Sequence, residues 1–162
     1  MRVLSIVIAG VLISSAWGQQ PPAQSIKTFA SSADIQAMIA NAKKIRKDDQ
    51  PMVSQPILQL APYRVALEYR PVAGAASTHE NEAELFYVVE GAGTLVTGGK
   101  LVNEKRSNPT NLAGTAIEGG TAQPLAKGDF AIVPENTPHW ISEVRSSLVL
   151  MSFHVPRGGN TK

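Results

Sequence analysis

The chain contains three histidines, His79, His139 and His154, and no cysteine. The missing thiols exclude a disulfide framework, a thiolate zinc site, a CxxC redox pair and a cysteine nucleophile. Any metal must then be held by imidazole and carboxylate groups, and so few imidazoles make a histidine-dependent site nearly enumerable. Two short segments carry these residues. One runs from Gly74 to Gly91 (GAASTHENEAELFYVVEG), the other from Gly128 to Trp140 (GDFAIVPENTPHW). In each, a polar residue stands beside a turn where a strand begins or ends. A period of two puts Glu84, Phe86 and Val88 on one strand face and Leu85, Tyr87 and Val89 on the other. His139 follows a turn bounded by Pro134 and Pro138, which fixes the direction of the side chain after it, and it shares a face with Ile141 and Glu143. Neither a GxGxxG fingerprint nor a P-loop is present, so no nucleotide cofactor is indicated.

These spacings resemble the two motifs of the cupin superfamily. Six residues separate Glu84 from Gly91 and four separate His79 from Glu84, while Gly128, Pro134 and His139 fall at positions of the second motif. Three positions depart from the pattern: Ser77 stands where the family has its first metal-binding histidine, Asn136 replaces a glycine and Glu143 a terminal asparagine. The motifs span residues 74–143, and the strand pattern around them carries the resemblance over about 56–156. The resemblance implies an all-β fold, a single cupin-type double-stranded β-helix (jelly-roll) barrel, with His79, Glu84 and His139 as ligands of one divalent transition metal. Two imidazoles and a carboxylate suit Fe(II) with open positions for substrate, and equally Zn or Mn. The competing reading is a cupin pocket that keeps these polar residues without a metal.

His154 admits two readings. Leu148, Leu150, Ser152 and His154 share one strand face, and the more uniformly apolar Val149, Met151, Phe153 and Val155 share the other. Either the second set faces the core and His154 lies outside, or His154 enters the barrel mouth as an additional ligand compensating for Ser77. Tyr63, Tyr69, Phe86 and Phe130, together with Ser77, are candidate walls of the substrate pocket. Tyr63, Val65, Leu67 and Tyr69 alternate with Arg64, Ala66, Glu68 and Arg70, which assigns the tyrosine-bearing set inward. Glu80, Glu82 and Glu90 read as a solvated acidic rim. No residue is assigned a catalytic role from the sequence.

The elements that must position these groups are short strands. Runs rich in Val, Ile, Leu and Tyr occur at 57–60, 63–70, 75–79, 84–89, 94–97, 100–103, 115–117, 130–133, 140–144 and 148–155, punctuated by Gly, Pro and Asn. Residues 104–114 lack an apolar period and read as a surface loop bordering the site. Ahead of the barrel, Ser31 or Ser32 caps an amphipathic α-helix with Asp34 in its first turn and an apolar stripe at Ile35, Met38, Ile39, Ala42 and Ile45. That stripe is expected to pack on a sheet or on a partner subunit.

The N-terminus reads as an export signal. Arg2, an apolar run over 3–13, and small residues Ala16 and Gly18 form a signal-peptide pattern, with an apolar run too short for a stable membrane span. The expected organisation is signal peptide 1–18, flexible lead-in 19–31, helix 32–50, barrel 56–156 and tail 157–162. A secreted or periplasmic location follows. With no twin arginine, export proceeds unfolded and metal is loaded outside the cytoplasm, which favours Zn or Mn over ferrous iron. Fifteen basic against 13 acidic residues leave a net charge of +2, too balanced for nucleic acid to be the default partner. The basic run 43–47 instead suits a helix C-terminus.

The leading functional expectation is a metal-dependent enzyme, of dioxygenase or isomerase/lyase type, acting on a small oxygen-rich organic molecule. Its alternatives are a non-catalytic small-molecule-binding cupin and a structural or interaction module assembled through the N-terminal helix. A homodimer is expected.

Overall fold

A computed structural model describes residues 26–158; the expected signal peptide, most of the lead-in and the last residues of the tail lie outside them. Helix α1 (Ser32–Ile45) opens the described chain, and its start is set by a capping box. Ser31 Oγ accepts the Asp34 backbone N–H at 3.2 Å, and Asp34 Oδ2 accepts the Ser31 backbone N–H at 2.8 Å. Eleven strands follow: β1 (Val53–Leu60), β2 (Tyr63–Arg70), β3 (Ala76–His79), β4 (Glu82–Thr97), β5 (Lys100–Val102), β6 (Lys105–Asn108), β7 (Asn111–Gly114), β8 (Ala116–Glu118), β9 (Thr121–Ala126), β10 (Phe130–Val133) and β11 (His139–Pro156).

The long antiparallel pair β4 and β11 forms the spine, running from the His139–Thr97 pairing to Pro156–Glu82. On one side of the fold β11 pairs with β2, and β2 with β1, while β10 joins the first half of β4. On the other, β3, β7 and β6 extend from the start of β11, and β9 joins the second half of β4. Both long strands therefore serve two sheets and bend between them. The bend is permitted at Gly91, whose φ of +82 lies in the left-handed region and where a Cβ would sit 1.9 Å from the Ser147 carbonyl oxygen. Opposite it, the ladder shifts register between Arg145 and Leu148, and Ser146 takes φ +66.

Two apolar layers result. Between the sheets lie Phe86, Val88, Leu95, Leu125, Val133, Ile141, Leu148 and Leu150. Outside the β1–β2–β11 sheet, Ile35, Ile39 and Ala42 of α1 cover Val53, Ile57, Leu67 and Val149. The helical stripe is thus consumed within the chain, and the assembly surface expected there loses its central residues; Ile45 alone of the stripe is substantially exposed.

This second layer reverses the assignment of β2. Val65, Leu67 and Tyr69 face the helix, whereas Glu68 and Arg70 face the space between the sheets. The segment 104–114 is not a plain loop: it forms the β6–β7 hairpin, whose second strand pairs with β3 so that Asn111 faces His79. Strand β9 was not expected because Pro124 interrupts it. It pairs with β4 alone, an edge position where the missing N–H is tolerated.

Candidate functional site

Glu84 is the centre of the site. It enters the inner face of β4, two residues before Phe86 in the core, and its side chain is 5% exposed. Three imidazoles surround it: His79 Nε2 lies 3.1 Å and His139 Nε2 3.0 Å from Oε2, and His154 Nε2 lies 3.4 Å from Oε1. Ser152 Oγ–H also donates to Oε1. The ligand atoms of His79, Glu84 and His154 all fall within 4.8 Å of one another. The His79 ring centroid is 5.1 Å from those of both His139 and His154.

Local structure delivers each side chain. His79 ends β3, and His139 opens β11 after the proline-bounded turn. The two are tied by the backbone: the Asn136 N–H donates to the His79 carbonyl oxygen at 2.8 Å. Asn136 has φ +58, a left-handed conformation that asparagine adopts more readily than most residues, so it serves in place of the glycine of the resembling motif. His154 and Ser152 alternate with the helix-facing residues of β11 and so share the inner face with Leu150.

The outer ring nitrogens are anchored in two of the three cases. His139 Nδ1–H donates to the Thr137 carbonyl oxygen at 3.2 Å, and His154 Nδ1–H donates to Glu82 Oε1 at 2.8 Å. Glu82 is in turn held by Arg64, 2.6 Å away. These contacts direct both Nε2 atoms toward the centre, the orientation a metal-binding histidine requires. His79 Nδ1 is buried without a hydrogen-bond partner; its nearest carboxylate oxygen is on Glu82 at 3.8 Å.

Electrostatics follows from this geometry. Burial opposes ionisation of Glu84, but hydrogen bonds from His139 and His79, with the charges of His139 and His154, hold its carboxyl well below the ordinary 4.5. Burial alone would push His79 down. The hydrogen bond and charge of Glu84 outweigh that and raise it above its ordinary 6.5. Among the described residues, the donor atoms that lie close enough together to share a divalent transition metal are those of His79, Glu84 and His154, two nitrogens and an oxygen, while His139 stands 3.0 Å from the same carboxylate without joining that group.

A cavity of about 180 Å³ adjoins the cluster. Ser77, opposite His139 in the β3–β11 pairing, and Phe86, 6.0 Å from the His139 ring, lie in its wall as the sequence suggested. Two other wall assignments are corrected, and a third residue is displaced to an adjoining groove. Tyr69 packs under the helix, because β2 buries both faces. Phe130 is 64% exposed and stacks on Tyr87 at 5.1 Å, because β10 lies at a sheet edge with that face outward. Tyr63 borders a neighbouring groove instead. The sequence reading missed Glu68, Arg70 and Trp140 as walls. Arg70 Nε and an Nη donate to Glu68 Oε2 at 2.9 and 2.7 Å, and Trp140 Nε1–H donates to the Gly74 carbonyl oxygen at 2.8 Å. The Glu–x–Arg alternation was visible in the sequence and was assigned to the wrong face. Glu80 and Glu90 do form exposed ion pairs, with Arg106 and Lys43, while Glu82 belongs to the site and not to the rim.

No protein-family model and no curated protein matches the sequence. Among solved structures, the chain is similar to Fe(II) HppE (TM-score 0.51, 16% identity, covering 68% of this chain and 54% of that one). It is similar to a conserved protein with a double-stranded β-helix domain from Klebsiella pneumoniae (0.50, 15%, covering 74% and 88%). It is also similar to the cupin domain of Cnp3 from Schizosaccharomyces pombe (0.50, 12%, covering 66% and 62%). At such identities the likeness establishes architecture, and it agrees with the strand order and paired motifs described above: the chain has the cupin fold, a double-stranded β-helix carrying an N-terminal helix on its outer face.

Proposed function

We propose that the chain is an exported metal-dependent cupin in which His79, Glu84, His139 and His154 hold one divalent transition metal, and that it acts on a small oxygen-rich organic molecule. The observation that carries this is the convergence of three imidazole Nε2 atoms on one buried carboxylate, with two of the imidazoles anchored from behind by a carbonyl and a carboxylate. His154 takes the place left by Ser77. The similarly folded HppE is an Fe(II) protein; for an exported chain loaded outside the cytoplasm, Zn or Mn is the expected occupant.

When bound, the ion supplies Lewis acidity toward an oxygen donor of the substrate. The protein's own groups do the rest. Phe86 and Trp140 wall the cavity against bulk water, Ser152 fixes the Glu84 carboxylate, and Glu82 holds the His154 proton on Nδ1. Isomerase, lyase and dioxygenase chemistry all fit such a centre, and a homodimer is the expected assembly.

Metal analysis of protein purified from the exported fraction tests the proposal, with His79→Ala, His139→Ala and His154→Ala as comparisons. About one equivalent in the wild type, lost in each variant, is expected. Equal and negligible metal in all four would remove the proposal and leave a metal-free binding cupin.

A further inference from the structure

Beside the histidine cavity lies a second, larger one of about 340 Å³ on the inner side of the β1–β2 hairpin. Its walls are mixed: apolar Pro56, Leu58, Leu60 and Tyr63 stand beside Gln59 and Arg64. The two cavities share Glu68 and His154 as lining residues, so the groove adjoins the cluster. Glu68 is 6% exposed. Both of its hydrogen bonds, from Arg70, end on Oε2, and among the described residues Oε1 accepts none. The other two carboxylates at the cluster are engaged, Glu82 by Arg64 and His154 and Glu84 by the histidines and Ser152. A carboxylate held by Arg70, with its second oxygen open to the cavities and no protein donor on it, favours a hydrogen-bond donor there.

From this juxtaposition we infer that the ligand is elongated and amphipathic, with a hydroxyl-bearing head between Glu68 and the histidines and an aliphatic body along the β1–β2 groove. The inference rests on the histidine cavity being the ligand site proposed above, and it does not require the ion to be present. Glu68 is then the residue that demands a donor on the head group, and Ala66 and Tyr63 shape the channel for the body.

The test uses 1,2-butanediol, 1,2-hexanediol, 1,2-octanediol and 1,2-dimethoxyoctane as probes, titrated into metal-free and zinc-loaded protein and followed by amide chemical shifts. Affinity should rise about two- to fourfold per added methylene, the upper figure corresponding to full burial. Dimethoxyoctane, which cannot donate, should bind about tenfold more weakly than octanediol. Glu68→Gln, whose amide can donate to an ether oxygen, should narrow that gap. Ala66→Phe should flatten the chain-length dependence by filling the groove. Tyr63→Ala, at an exposed position where folding is not at stake, should weaken octanediol without affecting butanediol. Affinity independent of chain length, a length dependence unchanged in both Ala66→Phe and Tyr63→Ala, or an ether gap unchanged in Glu68→Gln would overturn the inference. Zinc uptake measured in parallel separates the two proposals. Uptake without chain-length dependence refutes the groove alone, whereas chain-length dependence without uptake supports the groove and refutes the metal site.

Discussion

Glu84→Gln isolates the electrostatics of the site in the metal-free protein. The substitution keeps the shape and one acceptor but removes the charge that His79, His139 and His154 face at 3.0–3.4 Å. Hydrogen bonds to a buried charged group contribute about 1.5–3 kcal/mol, and stripping one partner from a buried pair costs about 3–5 kcal/mol. Allowing for the retained acceptor and for imidazoles that can become neutral, the net loss is about 2–3 kcal/mol. For a domain of this size that lowers Tm by roughly 6–15 °C. The pH dependence has two arms. Glu84 is depressed in the folded state, so its contribution is in place above the ordinary 4.5 and is lost as pH falls through the lower folded value. His79 is raised, so its contribution is in place below 6.5 and is lost as pH rises through the higher folded value. Both are fully present between those two ordinary values. Thermal unfolding of chelator-treated wild type and Glu84→Gln from pH 3 to 9 should therefore show the largest gap near pH 5.5, shrinking on both sides. Equal stability at pH 5.5, or a gap that widens toward acid, would refute the charge-ring account.

Other expectations follow from the fold. Ser31→Ala removes the capping box and should cost about 0.5–2 kcal/mol in urea unfolding, with Asp34→Ala giving a similar loss that is not additive with it. Ile39, 3% exposed on the inner face of the helix, should cost about 2–5 kcal/mol when cut to alanine; calorimetry would show it, and any zinc uptake measured for the wild type should be unchanged in the variant. Gly91→Ala introduces a Cβ where φ is +82 and the Ser147 carbonyl oxygen stands 1.9 Å away, so its loss should exceed the ~0.5–3 kcal/mol of ordinary substitutions, read as failure to accumulate soluble protein.

The parts of the site legible in the sequence were those fixed by turns. His79, Glu84 and His139 were singled out because their spacing from Gly91, Gly128 and Pro134 resembles the two cupin motifs, which imply them as ligands, and Asn136 could be placed in the turn between Pro134 and Pro138. His154 was not decided, because alternation reveals a face only when one side of a strand is wet. Strand β11 packs Leu148 and Leu150 into the barrel and Val149 and Met151 beneath α1, so both of its faces read as apolar. The same effect inverted β2: the helix buries Leu67 and Tyr69, and the more polar face, with Glu68 and Arg70, is the one that lines the cavity. The β6–β7 hairpin escaped notice for the opposite reason. Every residue of β6 is exposed, so its strand character comes from pairing with β7 and leaves no hydrophobic period. The helix and its stripe were legible because it has one wet face; the cap, left between Ser31 and Ser32, is Ser31, and the helix ends at Ile45 and not at 50.

The claim that three imidazoles and Glu84 form a single metal centre is tested most directly by a crystal structure of zinc-loaded protein with anomalous data at the zinc edge. One full-occupancy peak should lie within about 2.0–2.2 Å of nitrogens of His79, His139 and His154 and an oxygen of Glu84. No peak at saturating zinc, or a peak that leaves these residues uncoordinated, would contradict it.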